Sequence, residues 1–157
     1  MANLSKPMFD NKTITTESAN AGSVALKPKQ LHVAVGVIIR DNQVLLSLRS
    51  KQQHQGGKWE FPGGKVEAGE TVYNALAREL KEELAIEVVS AEPFMQQAFS
   101  YPERNVLLDI YLVTEFTGQA QGLEGQPLQW ASFAQLSQLN FPDANQPIVE
   151  KLQQQFM

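Results

Sequence analysis

The amino-acid sequence predicts an α/β domain with a mixed β-sheet between helices. Three observations predict it. Short apolar runs rich in Val, Ile and Leu recur from residue 31 onward. One stretch of strongly helical composition, 71–84, interrupts them. Two more helical stretches close the chain, so the order reads β-β-β-α-β-β-β-β-α-α.

Residues 1–29 are rich in Ser, Thr, Asn and Lys with little periodicity, and read as a flexible tail ahead of one domain over 30–157. Residues 31–39 are almost continuously apolar, as in a strand buried on both faces. Asp41-Asn42 is a turn signal, and 44–48 returns as the second strand of a hairpin. Residues 59–61 form a short strand that Pro62 ends, and Gly63-Gly64 permits positive φ and close approach of backbone to a ligand. The stretch 71–84 contains neither Gly nor Pro and follows Gly69, with Glu70 or Thr71 near the N-cap. Further strands are expected at 86–89, 98–101, 106–116 and 128–131, with Pro102-Glu103-Arg104-Asn105 joining the second and third. Residues 133–139 and 146–154 read as helices.

A chain of 157 residues, 43% hydrophobic and 19% charged, fits one domain with a real core. The net charge of −4 argues against direct nucleic-acid binding but not against nucleotides. The absence of Cys excludes disulfides, a thiolate zinc site and a Cys nucleophile. No apolar run approaches the ~20 residues of a membrane span. No basic region followed by an apolar core marks a secretory signal, so a cytoplasmic protein is expected.

The chemistry concentrates on the first helix. At about 100° per residue, Glu79, Glu82 and Glu83 fall within roughly 100° of one another. Leu76, Ala77, Leu80 and Leu84 occupy the neighbouring, core-facing arc, whereas Asn74 and Lys81 point to solvent. Half-buried carboxylates are costly unless a positive group compensates them. A hard divalent cation with oxygen ligands does so; a solvated acidic face is the alternative. The preceding Gly63-Gly64-Lys65 adds backbone polar groups and a positive charge of the kind a phosphate and metal site uses.

These residues resemble the Nudix box. That box is Gly, five residues, Glu, seven residues, Arg-Glu, an aliphatic residue, any residue, Glu-Glu, any residue, Gly and an aliphatic residue. Here it reads Gly64, Glu70, then Arg78-Glu79-Leu80-Lys81-Glu82-Glu83-Leu84-Ala85-Ile86. The single departure is Ala85 for the last Gly, at a helix end where Gly relieves a left-handed requirement. Other stretches are similar to the MutT branch of the family: Val33-Ala34-Val35-Gly36-Val37-Ile38-Ile39, Trp59-Glu60-Phe61-Pro62-Gly63-Gly64-Lys65, Glu124-Gly125-Gln126-Pro127 and Phe141-Pro142-Asp143-Ala144-Asn145-Gln146-Pro147. Together they cover about residues 31–153 and imply the Nudix α/β/α sandwich.

The resemblance implies Mg²⁺, with Mn²⁺ as a substitute, held by Glu79, Glu82, Glu83, Glu124 and a carbonyl of Gly63 or Gly64. Catalytic roles fall to Glu79 and Glu124, either of which would take the proton of the attacking water. Arg78 and Glu70 either act directly or form a structural ion pair that orients the cluster. Substrate contacts are expected from Arg49, His54, Glu60, Phe61, Pro62, Gly63, Lys65 and Asn145, with Tyr101 a further aromatic candidate. Asn145 can read a purine edge or cap the helix that follows it.

The implied activity is that of a monomeric nucleoside triphosphate pyrophosphohydrolase. It would convert 8-oxo-dGTP, and 8-oxo-GTP, to monophosphate and pyrophosphate. Such an enzyme cleanses the nucleotide pool and prevents A:T to C:G transversions. The box alone equally suits ADP-ribose, a dinucleoside polyphosphate or unmodified dNTPs. A non-catalytic nucleotide sensor is the reading from another class, and the intact box carboxylates count against it.

Overall fold

The computed structural model describes residues 29–157. The tail expected over 1–29 lies outside the described residues, except for Lys29, whose backbone opens the first strand.

That strand, β1 (Lys29–Arg40), runs parallel to β6 (Arg104–Thr117) along most of its length, from Lys29 opposite Arg104 to Ile38 opposite Val113. Its apolar run is buried on both faces, as expected. Val35 and Val37 enter one core with α2 (Gln146–Phe156), and Ala34 and Ile38 enter a second with α1 (Val72–Leu84). Asp41 and Asn42 both adopt left-handed φ, 54° and 61°, giving a tight hairpin turn into β2 (Gln43–Leu48). β2 is flanked at Ser47 by β3 (Trp59–Glu60) and by β7 (Leu128–Ser132), both antiparallel. The mixed sheet thus lies between α1 and α2, the sandwich expected of this sequence.

Four details differ from the sequence expectation. Gly63-Gly64 is not a free turn: Gly63–Lys65 forms β4, antiparallel to Val33–Val35 of β1. A Cβ on Gly63 would run into the Ala34 carbonyl, so only Gly permits this pairing. The strands expected at 86–89 and 98–101 are one strand, β5 (Glu87–Ser100), broken in register near Ser90 and Pro93. β5 lies at the sheet edge, where a Pro is tolerated because its outer side owes no ladder bond. The helix expected at 133–139 is a 3₁₀ turn, Ala134–Gln138, and a second such turn, Asp143–Asn145, leads into α2. On α1 the buried stripe is Ala75, Leu76, Leu80 and Leu84; Ala77 is only half-buried.

Thr71 caps α1 by accepting the Asn74 N–H at 3.1 Å. At the other end Ala85 adopts the left-handed conformation, φ 61° and ψ 29°, and donates its N–H to the Lys81 carbonyl at 3.1 Å. An L-residue in that conformation is strained by about 1 kcal/mol, so Ala85→Gly is expected to stabilise the fold by ~1 kcal/mol. A rise in the urea midpoint at unchanged slope would show it; a fall would refute it.

Candidate active site

α1 and β4 bring the box residues together. Glu79 is largely buried, with 15% of its side chain exposed, and lies so close to Gly64 that a Cβ there would strike its carboxylate. Arg78 is the hub of the surrounding ion pairs. Its Nε and Nη2 donate to the two Glu70 oxygens at 2.7 and 2.9 Å, Nη1 donates to Glu79 at 3.0 Å, and Nη2 also donates to the Lys65 carbonyl at 3.1 Å. The bidentate pair holds the Glu70 carboxyl down to about 2, and Glu70 in turn raises the Arg78 pKa. Arg78 and Glu70 therefore tie β4 to α1 and fix the orientation of Glu79; Glu70 lines neither cleft described below. Glu82 stands apart, with 59% of its side chain exposed and its carboxylate 3.4 Å from Arg78, outside both clefts.

Glu83 points inward. Burial, the Glu79 carboxyl within hydrogen-bonding reach, and the charges of Glu79, Glu124 and Glu60 push its carboxyl up to about 9. Glu124 comes from the loop after β6 and lines one wall of the same cleft as Glu60 and Glu83. Among the described residues no Lys, Arg or His pairs with Glu83 or Glu124, whereas Glu79 and Glu60 have Arg78 and Arg49. This surplus of hard oxygen donors fits a divalent cation. Among the described residues no three acidic or imidazole groups lie close enough together to form a cage around an ion.

Two clefts of about 390 Å³ each meet at Arg49, Gln53, Glu60 and Glu83. One extends past Ser50, Lys51, Glu124 and Gln126. The other is floored by Leu31, Val33, Val35, Val106 and Leu108 and reaches Gly63, Gly64, Lys65, Glu79, His54, Phe61, Tyr101 and Asn145. Arg49 is not a free phosphate fork in this state: Nη1 donates to Glu60, and Nε and Nη2 donate to the His54 carbonyl. Burial raises the Glu60 pKa, and Arg49 offsets part of that rise. His54 packs edge-on against Tyr101, ring centroids 4.6 Å apart, and its Nε2 lies 3.1 Å from Glu103.

Phe61 is nearly all core, stacked on Phe141 at 5.3 Å, and borders the cleft. Pro62 is buried and contributes its carbonyl to the Gly36 N–H at 2.8 Å rather than lining a cleft. Asn145 sits at the N-cap position of α2 but in helical φ/ψ, and its side chain makes no capping bond. It is left available to the cleft. The Tyr101 hydroxyl accepts the Ala144 N–H at 2.9 Å and so fixes the segment that presents Asn145.

The cleft floor of Leu31, Val33, Val106 and Leu108, together with Arg104 and Gln53, escaped sequence reasoning. In the sequence the apolar members are ordinary strand residues; only the pairing of β1 with β6 brings them together along one cleft.

The comparisons agree with this geometry. The NUDIX domain family matches residues 34–151. The chain is 39% identical over 125 residues to an 8-oxo-dGTP diphosphatase of Escherichia coli K12, covering 79% of this chain and 97% of that protein. It is 38% identical over 122 residues to a CTP pyrophosphohydrolase of the same organism, covering 78% and 90%. A solved structure from a study of MutT of Aliivibrio salmonicida and Vibrio cholerae is 39% identical with a TM-score of 0.72, covering 82% of this chain and all of that one. The box residues, the sandwich and these relatives together place the chain in the Nudix hydrolase family.

Proposed function

We propose that this protein is an Mg²⁺-dependent nucleoside triphosphate pyrophosphohydrolase that takes 8-oxo-dGTP to 8-oxo-dGMP and pyrophosphate. The observation that carries the reading is the junction of the two clefts at Glu60 and Glu83, with a base-sized apolar floor and Asn145 on one side and an open polar channel on the other. A purine lies over Leu31, Val33 and Leu108, with Asn145 against its edge. The α-phosphate comes to the carboxylates, and the outer phosphates run past Lys51.

Glu79, Glu83 and Glu124 are the side chains that would hold the cation, with a carbonyl of Gly63 or Gly64. When bound, the cation neutralises the polyphosphate and makes water more acidic. Glu124 is assigned the proton of the attacking water, because Glu79 already shares an oxygen with Arg78. Lys65 faces the phosphates from β4. Arg49 is placed to turn from the His54 carbonyl to a phosphate when nucleotide enters. The enzyme acts on free nucleotide, as a monomer in the cytoplasm, and Mn²⁺ replaces Mg²⁺. No helix among the described residues is long and apolar enough to cross a membrane.

A second reading has one specific support, the near-equal identity to a CTP pyrophosphohydrolase. Turnover of 8-oxo-dGTP, dGTP, CTP and ADP-ribose with Mg²⁺ and pyrophosphate detection separates the two. The expected result is the highest kcat/KM for 8-oxo-dGTP. Equal turnover of dGTP, or faster turnover of CTP, would overturn the first reading.

A further inference from the structure

The loop carrying Glu124 is held by hydrogen bonds far more than by packing. Leu123 is 51% exposed, and Glu124 and Gly125 are exposed as well. Its anchor is the end of α1, whose last carbonyls lack helical partners. Gln121 donates its N–H to the Leu84 carbonyl at 2.9 Å, and Leu123 donates to the Glu83 carbonyl at 3.0 Å. Gly125 closes a turn onto the Gly122 carbonyl at 3.0 Å in left-handed conformation, φ 82°.

One side chain spans this arrangement. Gln126 Nε2 donates to the Glu83 carbonyl at 3.1 Å, and its Oε1 accepts the Glu124 N–H at 2.9 Å. A single amide therefore joins the main chain of one cleft carboxylate to the main chain of another. The two residues are far apart in sequence and meet only through this loop. A Cβ on Gly122 would strike the Gln126 carbonyl, so the loop is also wound tightly around the residue that spans it. Pro127 then fastens the exit of the loop, its carbonyl accepting the Leu48 N–H at 3.0 Å.

We propose that Gln126 is a positioning residue that holds the Glu124 carboxylate in register with Glu83. This rests on the reading of Glu124 as a group that acts at the cation or the attacking water. A side chain that only donates or only accepts would keep one of these bonds and lose the other, and neither bond depends on Gln126 touching substrate. A loop with so little buried apolar surface would sample other positions without it.

The test is Gln126→Met, which keeps length and volume while removing both bonds, measured alone and in a Glu124→Gln background. A misplaced catalytic group is expected to lower kcat about 10-fold with KM changed less than ~2-fold. In the Glu124→Gln background the same substitution should cost almost nothing more, because the group it positions is already gone. In the metal-free protein, amide exchange at Leu123 and Glu124 should quicken in Gln126→Met. Unchanged kcat, fully multiplicative losses in the double variant, or unchanged exchange would overturn the proposal. A wild-type protein without Mg²⁺-dependent turnover would instead overturn the proposed function, and the exchange measurement would still decide for or against the clamp.

Discussion

Glu83→Gln is expected to lower Mg²⁺-dependent turnover by about 10³-fold, several kcal/mol of barrier, because it removes an inward-facing donor from the proposed cation site. The same substitution should stabilise the metal-free protein, and the sign follows from proton linkage. The folded-state Glu83 carboxyl is pushed up to about 9, well above its ordinary value of 4.5. Between those values the folded protein holds a proton that the unfolded chain has released, so stability declines as pH rises through that window. The amide has no proton to lose. The melting temperature of Glu83→Gln in chelator should therefore exceed that of the wild type increasingly from about pH 5.5 to pH 8.5, and saturating Mg²⁺ should narrow the gap. Undiminished turnover by the variant would remove Glu83 from the mechanism. A gap that shrank with rising pH would refute the electrostatic account.

Asn145→Ala is expected to reduce the preference for 8-oxo-dGTP over dGTP by about 10²-fold, since a site built to hydrogen-bond a base edge discriminates strongly. The fold should barely notice. Asn145 makes no capping bond, so the loss of ~1 kcal/mol typical of a removed N-cap is not expected. Measuring kcat/KM for both nucleotides alongside a thermal melt decides the matter. A retained preference with a lower melting temperature would restore Asn145 to the purely structural role that its sequence context also allows.

Much of this is legible in the sequence alone. The carboxylate helix declares itself because its period is local and its composition unbroken, and Thr71 caps it as the residues suggest. The hairpin at Asp41-Asn42 is equally local. What the sequence hid depends on distant partners. β4 exists only because Val33–Val35 offers it an edge, and Gly63-Gly64 alone reads as a turn. An ion pair of Arg78 with Glu70 is one of the two roles expected for these residues, but the further bond to the Lys65 carbonyl needs the strand that sequence reasoning missed. Arg49 reads as a phosphate ligand. Its engagement by Glu60 and the His54 carbonyl appears only once the loop 50–58 is folded back. The apolar cleft was least legible, because its floor is made of strand residues that also belong to the core, and only the folded sheet shows that they line a cleft as well.

β5 carries one more consequence. A strand of 14 residues whose outer edge is unpaired among the described residues is a template on which a second chain can add, and long flat edges of that kind seed aggregates. This edge is neither flat nor uniform. Its register slips near Ser90 and again at Pro93, and Glu87, Ser90, Glu92 and Gln96 stand exposed along it. The irregularities that made β5 look like two short strands in the sequence thus make it a poor template for a second strand.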